Sequence, residues 1–292
     1  MEASFFTQVL LPASLALIMF GMGLTLTVND FKQLLKTPKA VSLGLFGQMI
    51  CLPLMAFLLC LAFNVEAHIA IGLMVLAACP GGTSSNLLSH IARANLALSV
   101  SLTAITTVIC VVSTPWLIKF SVDYFTILPD EPFSLLKTSL SLLVITLIPI
   151  IMGMSVRHFA LKFATRTEGM FRHLSTFFLF TMIILITIDE QDMLIDAFPD
   201  VFILTFTLNI LATVIGVIIA RLGRLNDNDA VTLGIEVGTQ NATMSILISV
   251  SFLNHSEYAI ASAVYGVTMY LGAFILIMSR KLGWFGFSSK TE

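Results

Sequence analysis

Glu236 raises the chemical question first. It stands in "GIEVGTQNATMS" (residues 234–245), between the apolar runs "AVTL" and "ILISVSFL". A charge well inside a membrane-length segment costs at least ~2.5–3.5 kcal/mol on insertion scales, so the carboxylate needs a partner. No Lys or Arg lies near the middle of an apolar stretch to supply one. Na⁺ or a proton is the natural counter-charge. The plainer alternative is a protonated glutamate hydrogen-bonded inside a helical bundle.

The residues after Glu236 are glycine, hydroxyl and amide types, a poor recipe for a lipid-facing helix. The same chemistry appears in "CPGGTSSN" (residues 79–86), which follows the apolar "HIAIGLMVLAA". Breaking a helix in hydrocarbon frees carbonyls and N–H groups at several kcal/mol each, tolerable only beside a wet cavity or a bound ion. The C-terminus of the first half-helix then favours a cation, and the N-terminus of the second favours an anion. Small residues also serve close helix packing, which is the competing explanation for "PGG" taken alone.

Further oxygen donors can be placed by helical geometry. Ser99 and Thr103 are four apart and share one face. They follow the first break after the short turn "RAN", so that face is expected beside Ser85 and Asn86. Hydroxyls can bond back to their own helix. The amides Gln48, Asn86, Asn209 and Asn241 have more polar atoms to satisfy.

The elements that must carry these groups are membrane helices. The chain is 57% hydrophobic and only 11% charged, with a mean hydropathy of +0.97. Soluble domains average about 25% charged residues. A net charge of −2 gives no reason to expect a nucleic-acid partner. Cys51, Cys60, Cys79 and Cys110 lie in apolar runs without paired spacing, which reads as packing. "MEASFF" carries an acid where a cleavable signal would be basic.

Nine apolar spans are expected, at roughly 8–28, 39–62, 67–91, 95–121, 133–157, 170–188, 196–221, 229–252 and 256–280. Pro38, Pro115, Pro129, Pro132 and Pro199 are expected at or near their ends. With the N-terminus outside and the C-terminus cytoplasmic, the inner side holds Lys32, Lys36, Lys39, Arg93, Arg157, Lys162, Arg166, Arg172, Arg221, Arg224, Arg280, Lys281 and Lys290. That is 13 of 15 basic residues, leaving Lys119 and Lys137 outside. The outer segments are acidic (Asp123, Asp130, Glu131, Asp189, Glu190, Asp192, Asp196), which reads as a solvated rim.

The two interrupted spans are the third and the eighth. An odd offset of five sends them across the membrane in opposite directions. Discontinuous helices in corresponding positions of two inverted halves point to a secondary transporter with its site near the midplane. The expected fold is an all-α polytopic membrane protein, one transmembrane domain over 1–292. Its first repeat would span about 8–121 and its inverted second repeat about 133–280.

"GMGLTL", "CPGGTSSN" followed by "ARANLALSVSLTAITT", and "IEVGTQN" resemble the bile acid:sodium symporter family over essentially the whole chain. The resemblance implies a core domain, in which two broken helices cross, and a smaller panel domain. It also implies two Na⁺ ions. The first would be held by Ser85, Asn86, Ser99, Thr103 and Glu236; the second by Gln48, Glu236, Gln240 and the carbonyls of Val237 and Thr239. An organic anion, a bile acid or a small carboxylate, would lie near Thr83, Ser84 and Asn241, with Asn209 as a further candidate. Many bacterial members have ten spans, so this chain would lack one panel helix and have four helices in its first repeat. Tyr270 falls where some relatives carry a His-Asn pair. The expectation is a multi-pass protein of the lipid bilayer, the inner membrane for a bacterial chain, that imports the anion with sodium.

Three rivals were weighed against it. The same fold could be coupled to protons through Glu236. An intramembrane enzyme would need a nucleophile and base or metal ligands at depth, and His90 beside the first break has no such companion. A passive channel fits less well with an embedded carboxylate.

Overall fold

The structure is a computed structural model describing residues 11–126 and 135–283. The expected first residues of the first and fifth spans, Pro129, Pro132, Asp130, Glu131, Lys290 and the segment "MEASFF" lie outside the described residues.

Among the described residues twelve helical elements follow one another: α1 Leu11–Thr25, α2 Val28–Lys36, α3 Pro38–Phe63, α4 Ala67–Ala78, α5 Thr83–Ile91, α6 Leu96–Phe125, α7 (135–159), α8 Leu161–Asp189, α9 Gln191–Leu222, α10 Asp227–Gly238, α11 Ala242–Phe252 and α12 Ala259–Lys281. Six are apolar and long enough to cross a membrane, and α1, α4 and α11 are shorter apolar helices. The described residues form no strand beyond one isolated bridge. The nine apolar stretches read from the sequence correspond to α1, α3, α4 with α5, α6, α7, α8, α9, α10 with α11, and α12. Helix α2 is a short polar addition, opened by Asp30, whose carboxylate accepts from the Thr27 N–H (2.6 Å) and hydroxyl (2.9 Å).

Two prolines depart from expectation. Pro38 opens α3 as predicted, but Pro115 lies inside α6 and Pro199 inside α9. Membrane helices tolerate an internal proline where neighbours re-satisfy the backbone. Thr114, next to Pro115, serves a different helix: its hydroxyl donates to the Ala78 carbonyl at the end of α4 (2.6 Å).

The packing separates two groups of helices. Helices α1, α7 and α8 lie against one another. Glycines make the α1–α7 contact close: a Cβ on Gly23 would sit 2.2 Å from the Ile150 carbonyl oxygen, and one on Gly153 2.3 Å from that of Phe20. The remaining long helices surround α4 and α10. Every residue of Ile69–Ala78 and Asp229–Gly238 is buried, so both half-helices run through the middle of the protein. That explains the composition of α4, since a helix apolar all round packs on all sides. Lipid-facing residues are large and apolar instead, such as Phe177, Phe180, Ile184 and Ile188 on α8.

Candidate functional site

The two interruptions meet. Residues 79–82, between α4 and α5, run antiparallel to residues 239–241, between α10 and α11, with Gly81 bridged to Gln240. The Gly82 N–H donates to the Thr239 carbonyl (3.2 Å), and the Asn241 N–H donates to the Pro80 carbonyl (3.0 Å). Each break thereby satisfies backbone groups freed by the other. The second halves have local caps as well. Asn241 Oδ1 accepts from the Met244 N–H (3.0 Å), and the Gly82 carbonyl accepts from the Ser85 N–H (3.0 Å) and hydroxyl (2.8 Å). Of the polar side chains that looked misplaced in the sequence, Asn241 caps the start of α11, and Gln240 donates to a carbonyl in the last turn of α10.

Glu236 is 1% exposed and lies on the last turn of α10, beside this crossing. Its Oε2 lies 2.7 Å from the Ser99 hydroxyl, and its Oε1 accepts from Thr103 (2.5 Å). Ser99 also stands 2.9 Å from Asn86 Oδ1, and Ser85 Oγ lies 3.5 Å from Thr103 Oγ1. Ser85, Asn86, Ser99, Thr103 and Glu236 thus form one group of oxygens, all buried except Asn86, which is half-buried. No ion pair is formed to Glu236 among the described residues. Gly81 makes the approach possible, since a Cβ there would lie 2.8 Å from Glu236 Oε1.

A second group joins Gln48 to the break after α10. Gln48 belongs to a π-helical turn, Gly47–Cys51, inside α3; such local widenings often accompany functional sites. Its Nε2 donates to Gln240 Oε1 (2.6 Å), while Gln240 Nε2 donates to the Val237 carbonyl (2.8 Å). Thr239 brings its carbonyl to the crossing, and its buried hydroxyl has no hydrogen-bond partner.

Thr83 and Ser84 sit half-exposed on the first turn of α5, and Asn241 is 8% exposed at the start of α11. A cavity of about 310 Å³ opens beside Thr83 between α1, α5, α6 and α8, lined in part by Met22, Thr25, Thr83, Asn86, His90 and Phe171. This size lies at the lower end for small-molecule sites. Tyr270 of α12 lies beside Ser84. Asn209 is placed differently from the other candidates. Its amide is fully buried and spent on backbone groups of α10 and α12.

Two contributors escaped the sequence reading. Thr114 caps the end of α4, and Tyr265, fully buried, donates to the Gly238 carbonyl (2.9 Å). A tyrosine hydroxyl within an apolar span needs such a partner, and that requirement was the available signal.

The Thr103 hydroxyl can be tested directly. Thr103→Val keeps the shape and removes one bond to a charged group, worth about 1.5–3 kcal/mol. On the sodium-coupled expectation drawn from the sequence, the half-saturating sodium concentration for uptake should rise about tenfold or more, with little change in substrate half-saturation at saturating sodium. An unchanged sodium dependence would remove Thr103 from the ion site.

The family model described as "Sodium Bile acid symporter family" matches residues 12–197. The chain is 32% identical over 253 residues to "Uncharacterized sodium-dependent transporter YocS" of Bacillus subtilis (strain 168), covering 87% of this chain and 77% of that protein. It is 27% identical over 264 residues to "Probable sodium/metabolite cotransporter BASS2, chloroplastic" of Oryza sativa subsp. japonica, covering 90% of this chain and 62% of that one. Against the human "Ileal sodium/bile acid cotransporter" identity is 33% over 148 residues, 49% of this chain and 41% of that protein. The chain therefore spans less than two thirds of the length of the rice and human proteins.

Proposed function

We propose a mechanism from the premise that this chain belongs to the sodium bile acid symporter family: it is a sodium-coupled symporter of an organic anion. Its relatives are named transporters and cotransporters, not enzymes, and its apolar helices make it an integral multi-pass membrane protein. One observation carries the coupling: a buried carboxylate, without an ion pair among the described residues, surrounded by hydroxyl and amide oxygens where two helix breaks cross.

In this reading Ser85, Asn86, Ser99, Thr103 and Glu236 take one Na⁺. Gln48, Gln240, Glu236 and the carbonyls of Val237 and Thr239 take a second. Hard oxygen donors suit such a cation. Binding at the second site exchanges hydrogen bonds for ion contacts, because the Gln240 oxygen and Val237 carbonyl now accept amide protons. Sodium neutralises Glu236, so an anion can settle close by at Thr83, Ser84 and Asn241, near the N-termini of α5 and α11. The group α1, α7 and α8 acts as the panel, and its movement against the remaining helices alternates access to the cavity. N-out, C-in orientation places that cavity's His90 and Glu168 end toward the cytoplasm.

The test is uptake of a panel of candidate anions (bile acids, small carboxylates, sulfated steroids) into proteoliposomes under an imposed sodium gradient. Sodium-dependent accumulation of an anion at constant pH is expected. Transport driven by a proton gradient and indifferent to sodium would overturn the reading.

A further inference from the structure

The carbonyl between the two proposed backbone ligands of the second sodium site is gripped from behind. Gly238 ends α10, and its oxygen accepts two hydrogen bonds from different helices: Asn209 Nδ2 of α9 (2.8 Å) and the Tyr265 hydroxyl of α12 (2.9 Å). Asn209 reaches further. The same amide nitrogen lies 3.2 Å from the Met269 carbonyl, and Oδ1 accepts from the Gly272 N–H (2.9 Å). One side chain therefore ties α9, the end of α10 and the middle of α12 together.

The fit around this tie is tight. A Cβ on Gly238 would lie 2.3 Å from Thr213 Oγ1, and one on Gly272 would lie 2.6 Å from both Asn209 Oδ1 and Thr213 Oγ1. Asn209 and Thr213 are one turn apart on α9, so a single face of that helix is pressed onto both neighbours. Asn209 and Tyr265 are both 0% exposed, and neither lines the cavity beside Thr83.

We propose that Asn209 and Tyr265 are positioning residues for sodium: by holding the Gly238 carbonyl toward α9 and α12, they leave the Val237 and Thr239 carbonyls on the crossing side. There those carbonyls meet Gln240 Nε2 and the Gly82 N–H. With both bonds from Asn209 and Tyr265 in place, the Gly238 peptide cannot rotate without stranding its oxygen in a dry interior. The carbonyls on either side are thereby held in a fixed relation to Glu236, and the ion does not have to order them on binding. This assignment rests on the proposed sodium-coupled reading, and it moves Asn209 from the anion to the ion.

The decisive variant is Tyr265→Phe, which removes a single hydroxyl and keeps the ring. Two quantities are measured on purified protein: resistance to heat without sodium, in choline chloride, and the sodium concentration giving half of the sodium-induced stabilisation. Uptake then gives half-saturation for sodium and for the anion separately. Tyr265→Phe is expected to raise the half-saturating sodium about fivefold, the loss of one hydrogen bond, with anion half-saturation unchanged at saturating sodium. Asn209→Ala, which removes more bonds, is expected to raise it further.

A variant that melts earlier in choline but keeps wild-type half-saturation for sodium would show a merely structural role and overturn the proposal. If Asn209→Ala does not fold, Tyr265→Phe decides alone. A wild-type protein with no sodium response in either assay would remove the symporter reading and this proposal together. A sodium-responsive wild type matched by Tyr265→Phe would remove only this proposal.

Discussion

Glu236→Gln is expected to abolish sodium-driven uptake while leaving a folded protein. Glutamine keeps the size of the side chain and still offers an oxygen to Ser99 or Thr103, which now bond the two carboxylate oxygens. What it removes is the one negative charge shared by both proposed ion sites. Two unit charges 4 Å apart at an effective dielectric of 20 attract by about 4 kcal/mol, on the order of a thousandfold in affinity for each ion. Sodium-induced stabilisation should vanish together with uptake. Thermal stability without sodium should hold or rise, because a neutral amide is cheaper to bury than a carboxylate. Retained wild-type transport in Glu236→Gln would take this residue out of the mechanism.

The second large effect is geometric. A Cβ on Gly82 would lie 2.8 Å from the Gln240 carbonyl oxygen, a backbone atom of the opposing break. The Gly82 N–H is also one of the two backbone bonds that join the breaks. Gly82→Ala must therefore push the two segments apart at the point where they cap each other, and overpacking of this kind costs about 1–3 kcal/mol. The displacement falls on Thr239 and Gln240, proposed ligands of the second ion, and on the start of α5, proposed to face the anion. We expect uptake to fall by about tenfold or more, and the purified protein to melt earlier both with and without sodium. Uptake equal to wild type would show that the crossing can widen without consequence. Gly169, where a Cβ would meet nothing within 4 Å, supplies the neutral control.

The parts of this protein legible in the sequence are those fixed by the surrounding lipid. Hydrocarbon demands about 20 apolar residues per crossing, so the spans could be counted along the chain. It also penalises unsatisfied polar groups, which made "CPGGTSSN", "GIEVGTQN" and Glu236 conspicuous. Ser99 and Thr103 were reachable because helical periodicity puts them on one face and the turn "RAN" returns that face to Ser85 and Asn86. The structure places those groups together around the Glu236 carboxylate.

Proline and amide roles were not legible in the same way. Pro115 and Pro199 resembled boundary signals, yet each lies inside a continuous helix, where packing overrides the local preference. Asn209 was identified as a polar group needing partners, but nothing local says whether they are a ligand or a backbone. Its partners are Gly238, Met269 and Gly272, 29 to 63 residues further along. Tyr265 was not singled out in the sequence, and the fold brings its hydroxyl to the same carbonyl.

By itself, then, the sequence determined that this is a helical membrane protein, where its helices break, and that a lone carboxylate sits beside one break. These follow from the cost of placing each residue type in hydrocarbon, which is a local property. The tertiary structure alone decided that the two breaks cap each other and that Gln48 reaches Gln240 across 192 residues. It also decided that Asn209 serves the backbone behind the crossing. Those pairings depend on which helix faces pack together, and hydrogen bonds between distant segments leave no periodicity in the chain.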